Sequence, residues 1–441
     1  MRKEPRIRPP VLPAQDPEKY KDISLQIKVV TPLWGGAAIA GEADPERPVN
    51  AKSIRGQLRF WWRACKGGQF KTAAELFKRE EEVWGSVDVP SEVTVGIRDY
   101  NPGERVEWYN ISEEWKDGRA RLRGKAVGEG ASYPGYALFP FQGETKRNGK
   151  PPTACRKGVA FTLQVRCLPA VEEDLLAALR AWLLFGGVGS RTRRGCGSLC
   201  CSNWKEHFGA FSAEPDTWLP AGLIRKLAPG ASPNFPVLDR AVLARGGSCK
   251  SAVEAWAAAV NVMQNFRQGL GFGRNAGTGK RPGKSRWPEP DAIRKLAQKL
   301  DCHHAPKGEP LDYYPRADLG LPIIFQFHNC AGCPEMHMLG INDNATGRMA
   351  SPFITKALEL PGLAPIPIIL MLNSPHAWEA EQPVTLVGSN ANKPVKRQLI
   401  KSQIEEIDKS SLVSPMAGKD VRRAFLDFAQ GAPYCFKEVT L

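Results

Sequence analysis

An α+β fold with the element order β-α-β-β-α-β is predicted by three features of the sequence. Residues 23–30 and 160–168 alternate apolar and polar side chains, as half-buried strands do. Each is followed by a stretch in which apolar residues recur at helical spacing, from Ser53 onward and over 171–185. Two short strand-like segments, 93–97 and 197–203, complete the order, which is that of a ferredoxin-like (RRM-like) unit.

The elements follow in sequence. Ile23, Leu25, Ile27 and Val29 form the apolar face of the first strand, which Thr31-Pro32 ends; Gly35-Gly36 opens a loop. Ser53 is the expected N-cap of the first helix, whose packed side carries Ile54, Leu58, Trp61 and Cys65. Phe161, Leu163, Val165 and Cys167 share one face of the third strand. The second helix has Glu172, Glu173 and Asp174 in its first turn, where the helix dipole favours acids, and Gly186-Gly187 after its last. Residues 101–158 are too long for a hairpin loop and read as an insertion with exposed basic segments at 116–125 and 146–157.

The second half is harder to read. Helices are expected at 253–266, 291–300, 404–407 and 421–428, strands at 321–327 and 364–372, and a hairpin arm around 349–356. The recurring order suggests a second, degenerate ferredoxin-like domain in tandem with the first. The expected division is a tail at 1–22, a first domain at 23–204 and a second at 205–441, which carries a basic glycine-rich loop at 267–288.

Charge narrows the function classes. The chain of 441 residues has 61 Lys and Arg against 46 Asp and Glu, a formal net charge of +15. Such a surplus points to a polyanionic partner. The 11 cysteines follow no disulfide framework and are expected to be reduced thiols of a cytoplasmic protein. The charged, proline-rich start is not expected to be a signal peptide. No run of about 18 apolar residues marks a membrane span.

The positive charge is concentrated in three places. On the first helix Lys52, Arg55, Arg59, Arg63 and Lys66 share one stripe at about 100° per residue, with no acid between Lys52 and Lys71. Five like charges repel unless phosphates or distant acids neutralise them. The second cluster, residues 186–197, sets Arg191, Arg193 and Arg194 among five glycines whose backbone N–H groups could line an anion-binding concavity. It lacks the Gly-Lys-Ser/Thr of a phosphate-binding P-loop. The third, between 255 and 288, holds Arg267, Arg274, Lys280, Arg281, Lys284 and Arg286 without one acid. Phe272 and Trp287 there are candidates for stacking on bases.

Thr31-Pro-Leu-Trp-Gly-Gly36 and Ala51-Lys-Ser-Ile-Arg-Gly-Gln-Leu-Arg-Phe-Trp-Trp-Arg63 closely resemble the first subunit of the Cmr complex of type III-B CRISPR systems, a branch of the RAMP superfamily. The 186–197 stretch resembles that superfamily's glycine-rich loop. Segments 285–294, 319–325 and 348–353 resemble the family in the second half. The resemblance implies a non-catalytic subunit that contacts guide RNA near its 3′ part and target RNA. It also implies other Cmr subunits, especially the sixth, as partners, rather than an independent homo-oligomer or a membrane. The expected RNA contacts are Lys52, Ser53, Arg55, Gly56, Arg59, Trp62, Arg63, Gly187, Gly189, Ser190, Arg191, Arg193, Arg194, Arg274, Lys280, Arg281, Arg286 and Arg348.

Two alternatives carry distinct signatures. A RAMP-type endoribonuclease would need a histidine acid or base at the basic elements, and none of the six histidines lies in the first helix or the glycine loop. A zinc-stabilised RNA-binding module could use Cys330-Ala-Gly-Cys333 with Cys302 and His304. No other cofactor is indicated.

Overall fold

The computed structural model describes residues 19–37, 42–116, 119–210, 218–219, 222–229, 231–278, 283–306, 308–327, 332–388, 395–405, 415–416 and 418–440. The expected tail therefore lies almost wholly outside the described residues.

The first half runs β1 (Lys21–Val29), α1 (Ala51–Lys66), α2 (Ala73–Trp84), β2 (Val93–Asn101), β3 (Glu104–Val106), β4 (Tyr109–Lys116), β5 (Arg119–Ala126), α3 (Gly135–Leu138), β6 (Cys155–Lys157), β7 (Ala160–Cys167), α4 (Glu172–Phe185), β8 (Leu199–Cys201) and α5 (Trp204–Phe208). Its main sheet is antiparallel with strand order β2-β7-β1-β8. Ile23 faces Val165 and Leu25 faces Leu163 across β1 and β7, so the alternation legible in the sequence becomes one apolar face. The cap of α1 is Asn50, not Ser53: Asn50 Oδ1 accepts the Ser53 N–H at 2.7 Å. Asn50 is extended, and the helix starts at Ala51, so Ser53 already lies inside the first turn.

The second half runs β9 (Val237–Arg245), α6 (Ala252–Gln268), α7 (Glu289–Leu296), β10 (Ile323–Phe325), β11 (His337–Ile341), β12 (Phe353–Leu358), β13 (Ile366–Asn373), β14 (Val384–Gly388), β15 (Val395–Leu399), α8 (Lys401–Glu405), α9 (Val421–Gln430) and β16 (Lys437–Thr440). Strands β12-β13-β9-β16 form an antiparallel sheet in that order. With α6 after β9 and α9 after β13, this half repeats both the chain order and the strand order of the first. The repeat is complete rather than degenerate. Two inserted stretches obscure it in the sequence, because they build a separate sheet, β10-β11-β14-β15. The expected hairpin arm near 349–356 forms β12, which starts at Phe353, is buried along its length and pairs antiparallel with the next strand, β13.

The β12–β13 sheet is covered on both faces. Ile368, Leu370 and Leu372 join a core shared with β1, β7, α1 and α4. The alternate residue Ile369 joins Val262, Met263 and Phe266 of α6 and Phe425 of α9. A strand buried on two sides needs apolar residues at every position, which accounts for the continuous apolar stretch from Ile368 to Leu372. No described helix is long and apolar enough to cross a membrane.

Candidate nucleic-acid interface

The basic stripe of α1 is divided by the fold into a packed part and an exposed part. Glu80 of α2, itself buried, accepts from Arg59 Nε at 2.6 Å and from Arg63 Nη1 at 2.5 Å. Lys66 is buried and reaches Glu173 Oε1 of α4 at 2.7 Å. Arg55 donates to the carbonyls of Val93, at 3.1 Å, and Trp84; burial, then the nearby Arg59, lowers its pKa. The stripe thus joins α1 to α2, β2 and α4. Lys52, Ser53 and Gly56 are exposed on the helix's N-terminal half. Trp62 is corrected: its ring is fully buried in the core and presents nothing to a ligand. The neutralising acid comes from α2, an amphipathic helix capped by Thr72 and remote in sequence from the stripe.

The glycine loop is also built differently from expectation. The N–H groups of Val188, Ser190, Arg194, Gly195 and Gly197 donate to protein carbonyls, so these five do not form an open nest. The glycines serve close packing instead. A Cβ on Gly189, at φ +82°, would stand 2.4 Å from Trp34 O, and one on Gly197, at φ +64°, would stand 1.9 Å from Val188 O. Gly187 O accepts the Trp182 indole N–H at 3.2 Å, and Ser190 N–H donates to Trp34 O at 2.6 Å.

The loop's charge therefore comes from its arginines, and these meet the second half of the chain. Arg193 Nη1 donates to Ser351 O at 2.6 Å and its guanidinium lies 5.2 Å from the Phe60 ring centroid. Arg194 Nη1 donates to Phe353 O at 3.0 Å. Arg191, at φ 61°, lies 4.8 Å from the centroid of the exposed Phe139 ring. Burial pulls Arg193 and Arg194 down to about 10, and Arg267 and the loop's own arginines add to the fall at Arg194. Arg191 is lowered by burial and by the charge of the exposed Arg348. Among the described residues no carboxylate forms an ion pair with Arg191, Arg193 or Arg194. Their partners are carbonyls and rings, which leave the positive charge uncompensated.

Lys356 of β12 completes this junction. It is fully buried, donates to Gly186 O at 2.7 Å, and burial lowers its pKa to about 7. Between α1 and the loop lies a cleft of about 230 Å³, lined by Gly56, Gln57, Phe60, Trp61, Thr192 and Arg193 among others. The structure thus brings together Gly56 and Arg193, which the sequence placed on separate elements.

The third basic stretch is pinned at its base. Asn275 N–H donates to Lys284 O at 2.8 Å and Arg286 N–H to Gly273 O at 3.0 Å. Arg274 Nε donates to Gln268 O at 2.7 Å, and Arg286 donates to Gly271 O. Lys280 and Arg281 lie outside the described residues. Trp287 is buried against Phe266, and Phe272 packs on Phe428, so both rings are core rather than stacking platforms in this structure.

The insertion contributes a feature that sequence reading left undeveloped. Strands β4 and β5 form an isolated two-stranded ribbon. Arg119, Arg121, Arg123 and Lys125 alternate along β5 and are all exposed, with Glu114 near Arg123 at 3.3 Å. Trp115, opposite Ala120, is 75% exposed. Alternation of basic residues over 119–125 was the available signal.

Among the described residues no three His, Cys, Asp or Glu side chains converge. Cys302 is a free thiol, whereas Cys333 is disulfide-bonded, a correction to the reading of uniformly reduced cysteines. Cys330 lies outside the described residues.

Residues 26–200, from β1 through β8, match the sequence model of the RAMP superfamily. Over this stretch the chain is similar to the RAMP superfamily. The chain is also similar to Cmr subunits of CRISPR effectors. The CRISPR system Cmr subunit Cmr1-2 of Pyrococcus furiosus is 29% identical over 188 residues, covering 39% of this chain and 91% of the relative. Cmr1-1 of the same organism is 31% identical over 154 residues, 34% of this chain and 40% of the relative. Two solved structures align over most of this chain. The crystal structure of Cmr1 from Pyrococcus furiosus has a TM-score of 0.44 at 16% identity, covering 82% of this chain and 93% of that one. A cryo-EM structure of the type III-B Cmr-beta bound to cognate target RNA has a TM-score of 0.43 at 13% identity, with 92% and 100% covered. The RAMP match includes α1 and the glycine loop and ends before the second-half residues that the loop's arginines touch.

Proposed function

We propose that this chain is a non-catalytic RNA-binding subunit of a type III-B CRISPR effector, a cytoplasmic ribonucleoprotein in which it contacts guide RNA, target RNA or both. The observation that carries this reading is the uncompensated arginine junction. Arg191, Arg193 and Arg194 have no carboxylate ion-pair partner among the described residues, while Arg348 is close enough to depress the pKa of Arg191 and Arg267 that of Arg194. Phosphates supply the missing counter-charge.

The two halves are then ferredoxin-like units, residues 23–204 with the insertion 101–158, and residues 205–441. The identical strand orders β2-β7-β1-β8 and β12-β13-β9-β16 support this reading. RNA lies across the exposed Lys52–Gly56 end of α1, the arginine junction and Arg348, with the β4–β5 ribbon and the 267–288 loop as flanking contacts. Phosphate contacts do not distinguish RNA from DNA, so the choice of RNA rests on the relation to Cmr subunits. Other Cmr subunits, the sixth among them, are the protein partners.

Recovery of the chain from its source cell tests the assignment. Small RNAs carrying CRISPR repeat sequence should co-purify with it; recovery of bulk cellular RNA alone would contradict the CRISPR reading.

A further inference from the structure

The cleft between α1 and the glycine loop has a composition that phosphate binding does not explain. One wall is the Phe60 ring, edge-on to Trp61 at 5.1 Å and with the Arg193 guanidinium 5.2 Å from its centroid. Arg193 is held in place by Ser351 O at 2.6 Å. Gln57 and Thr192 bring an amide and a hydroxyl to the same space. Trp61 Nε1 is buried with no hydrogen-bond partner among the described residues. It lies beside Gly186, another lining residue, where a Cβ would stand 2.6 Å from it. That N–H is closed off within the wall, so the polar groups that line the open space are Gln57, Thr192 and Arg193. The volume, about 230 Å³, is below the range of about 300–1,000 Å³ that drug-sized ligands occupy, and suits one planar heterocycle.

We propose that this cleft receives a single nucleobase splayed out of a single-stranded RNA. The base stacks against Phe60 and Arg193 and offers its carbonyl or ring-nitrogen edge to the polar groups of the cleft. Aromatic rings and guanidinium planes are the surfaces on which unstacked bases settle. The entrance is at Gly56, where an added Cβ would meet nothing within 4 Å. Lys52, exposed and one helical turn earlier, is placed for the phosphate of the same nucleotide. The second half closes the cleft through Ile354, so the site exists only where the two halves meet. This inference rests on the RNA-binding reading and adds to it a contact that depends on the base.

The test compares two polymers of equal length and charge on the full chain, oligouridylate and its abasic ribose-phosphate counterpart. A base-accepting cleft predicts tighter binding of oligouridylate, on the order of ten-fold. Gly56→Met, which sets a side chain in the open entrance, and Phe60→Ala, which removes the stacking wall, should each abolish that difference. Equal binding of both polymers by the unaltered chain would overturn the cleft proposal and leave phosphate-mediated RNA binding standing. A difference that survives in Gly56→Met would overturn it too, because the bases would then be read elsewhere. Failure to bind either polymer would remove the RNA-binding reading and this proposal with it. Thermal unfolding of both variants identifies loss of fold. Should Phe60→Ala unfold, Gly56→Met decides alone, since its added side chain enters open space on a helix surface.

Discussion

Lys356 Nζ donates to Gly186 O across 2.7 Å, tying the fourth residue of β12 to the C-cap of α4. The bond joins the two halves beneath the glycine loop and sets a cation at the negative end of a helix dipole. It also buries an amine completely, and burial lowers its pKa from 10.5 to about 7.

A pH effect follows from that shift. Because the folded value lies below the unfolded one, the unfolded chain binds more protons between the two, so stability rises with pH across that interval. Lys356 therefore contributes a penalty that is full below about pH 7 and is relieved as pH approaches 10.5. Unfolding midpoints recorded across this window should climb more steeply in the unaltered chain than in Lys356→Met. Parallel profiles would contradict a buried, depressed lysine.

Glu80→Gln separates structure from binding on α1. It leaves Arg59 and Arg63, both about a third exposed, without their shared carboxylate. A loss of about 1–2 kcal/mol is expected in denaturant unfolding, given partial solvent screening. The two freed guanidiniums should steepen the salt dependence of RNA binding, by up to ~0.7 in log–log slope for each phosphate gained. A flattened slope would show instead that the Glu80 pairing positions these arginines for RNA.

The β4–β5 ribbon makes an independent contribution. Arg119, Arg121 and Arg123 are exposed, and their one nearby acid among the described residues, Glu114, stands opposite Arg121 and 3.3 Å from Arg123. Replacing all three with Gln should flatten the salt slope by ~0.7 per lost phosphate contact and move the unfolding midpoint little. An unchanged slope would remove the ribbon from the RNA path.

Binding without cleavage is tested directly. Incubated with CRISPR repeat RNA, with and without Mg²⁺, the chain should leave the RNA intact. Discrete products that vanish in His304→Ala would establish catalysis.

The first half was legible because its strands each bury one face. Ile23, Leu25, Ile27 and Val29 alternate in the sequence as they do in the sheet. The second half hid its first strand for a local reason. Arg240 adopts φ 59°, and the pairing of β9 with β13 shifts register nearby, so the period of two is broken. The bounds of strand β12 are blurred in the sequence because its fourth residue, Lys356, is charged yet buried. At the site, charge type was readable and charge pairing was not. Nothing local to α1 announces Glu80, and nothing in residues 186–197 announces the carbonyls of Ser351 and Phe353.

The most direct test of the central claim is the salt dependence of RNA affinity in Arg191→Gln combined with Arg348→Gln. These two arginines contribute to one positive field, and among the described residues neither forms an ion pair that anchors the fold. The account predicts weaker binding and a log–log slope flatter by up to ~1.4 for single-stranded RNA, with the unfolding midpoint nearly unchanged. Affinity and slope equal to those of the unaltered chain would contradict an RNA path through the arginine junction.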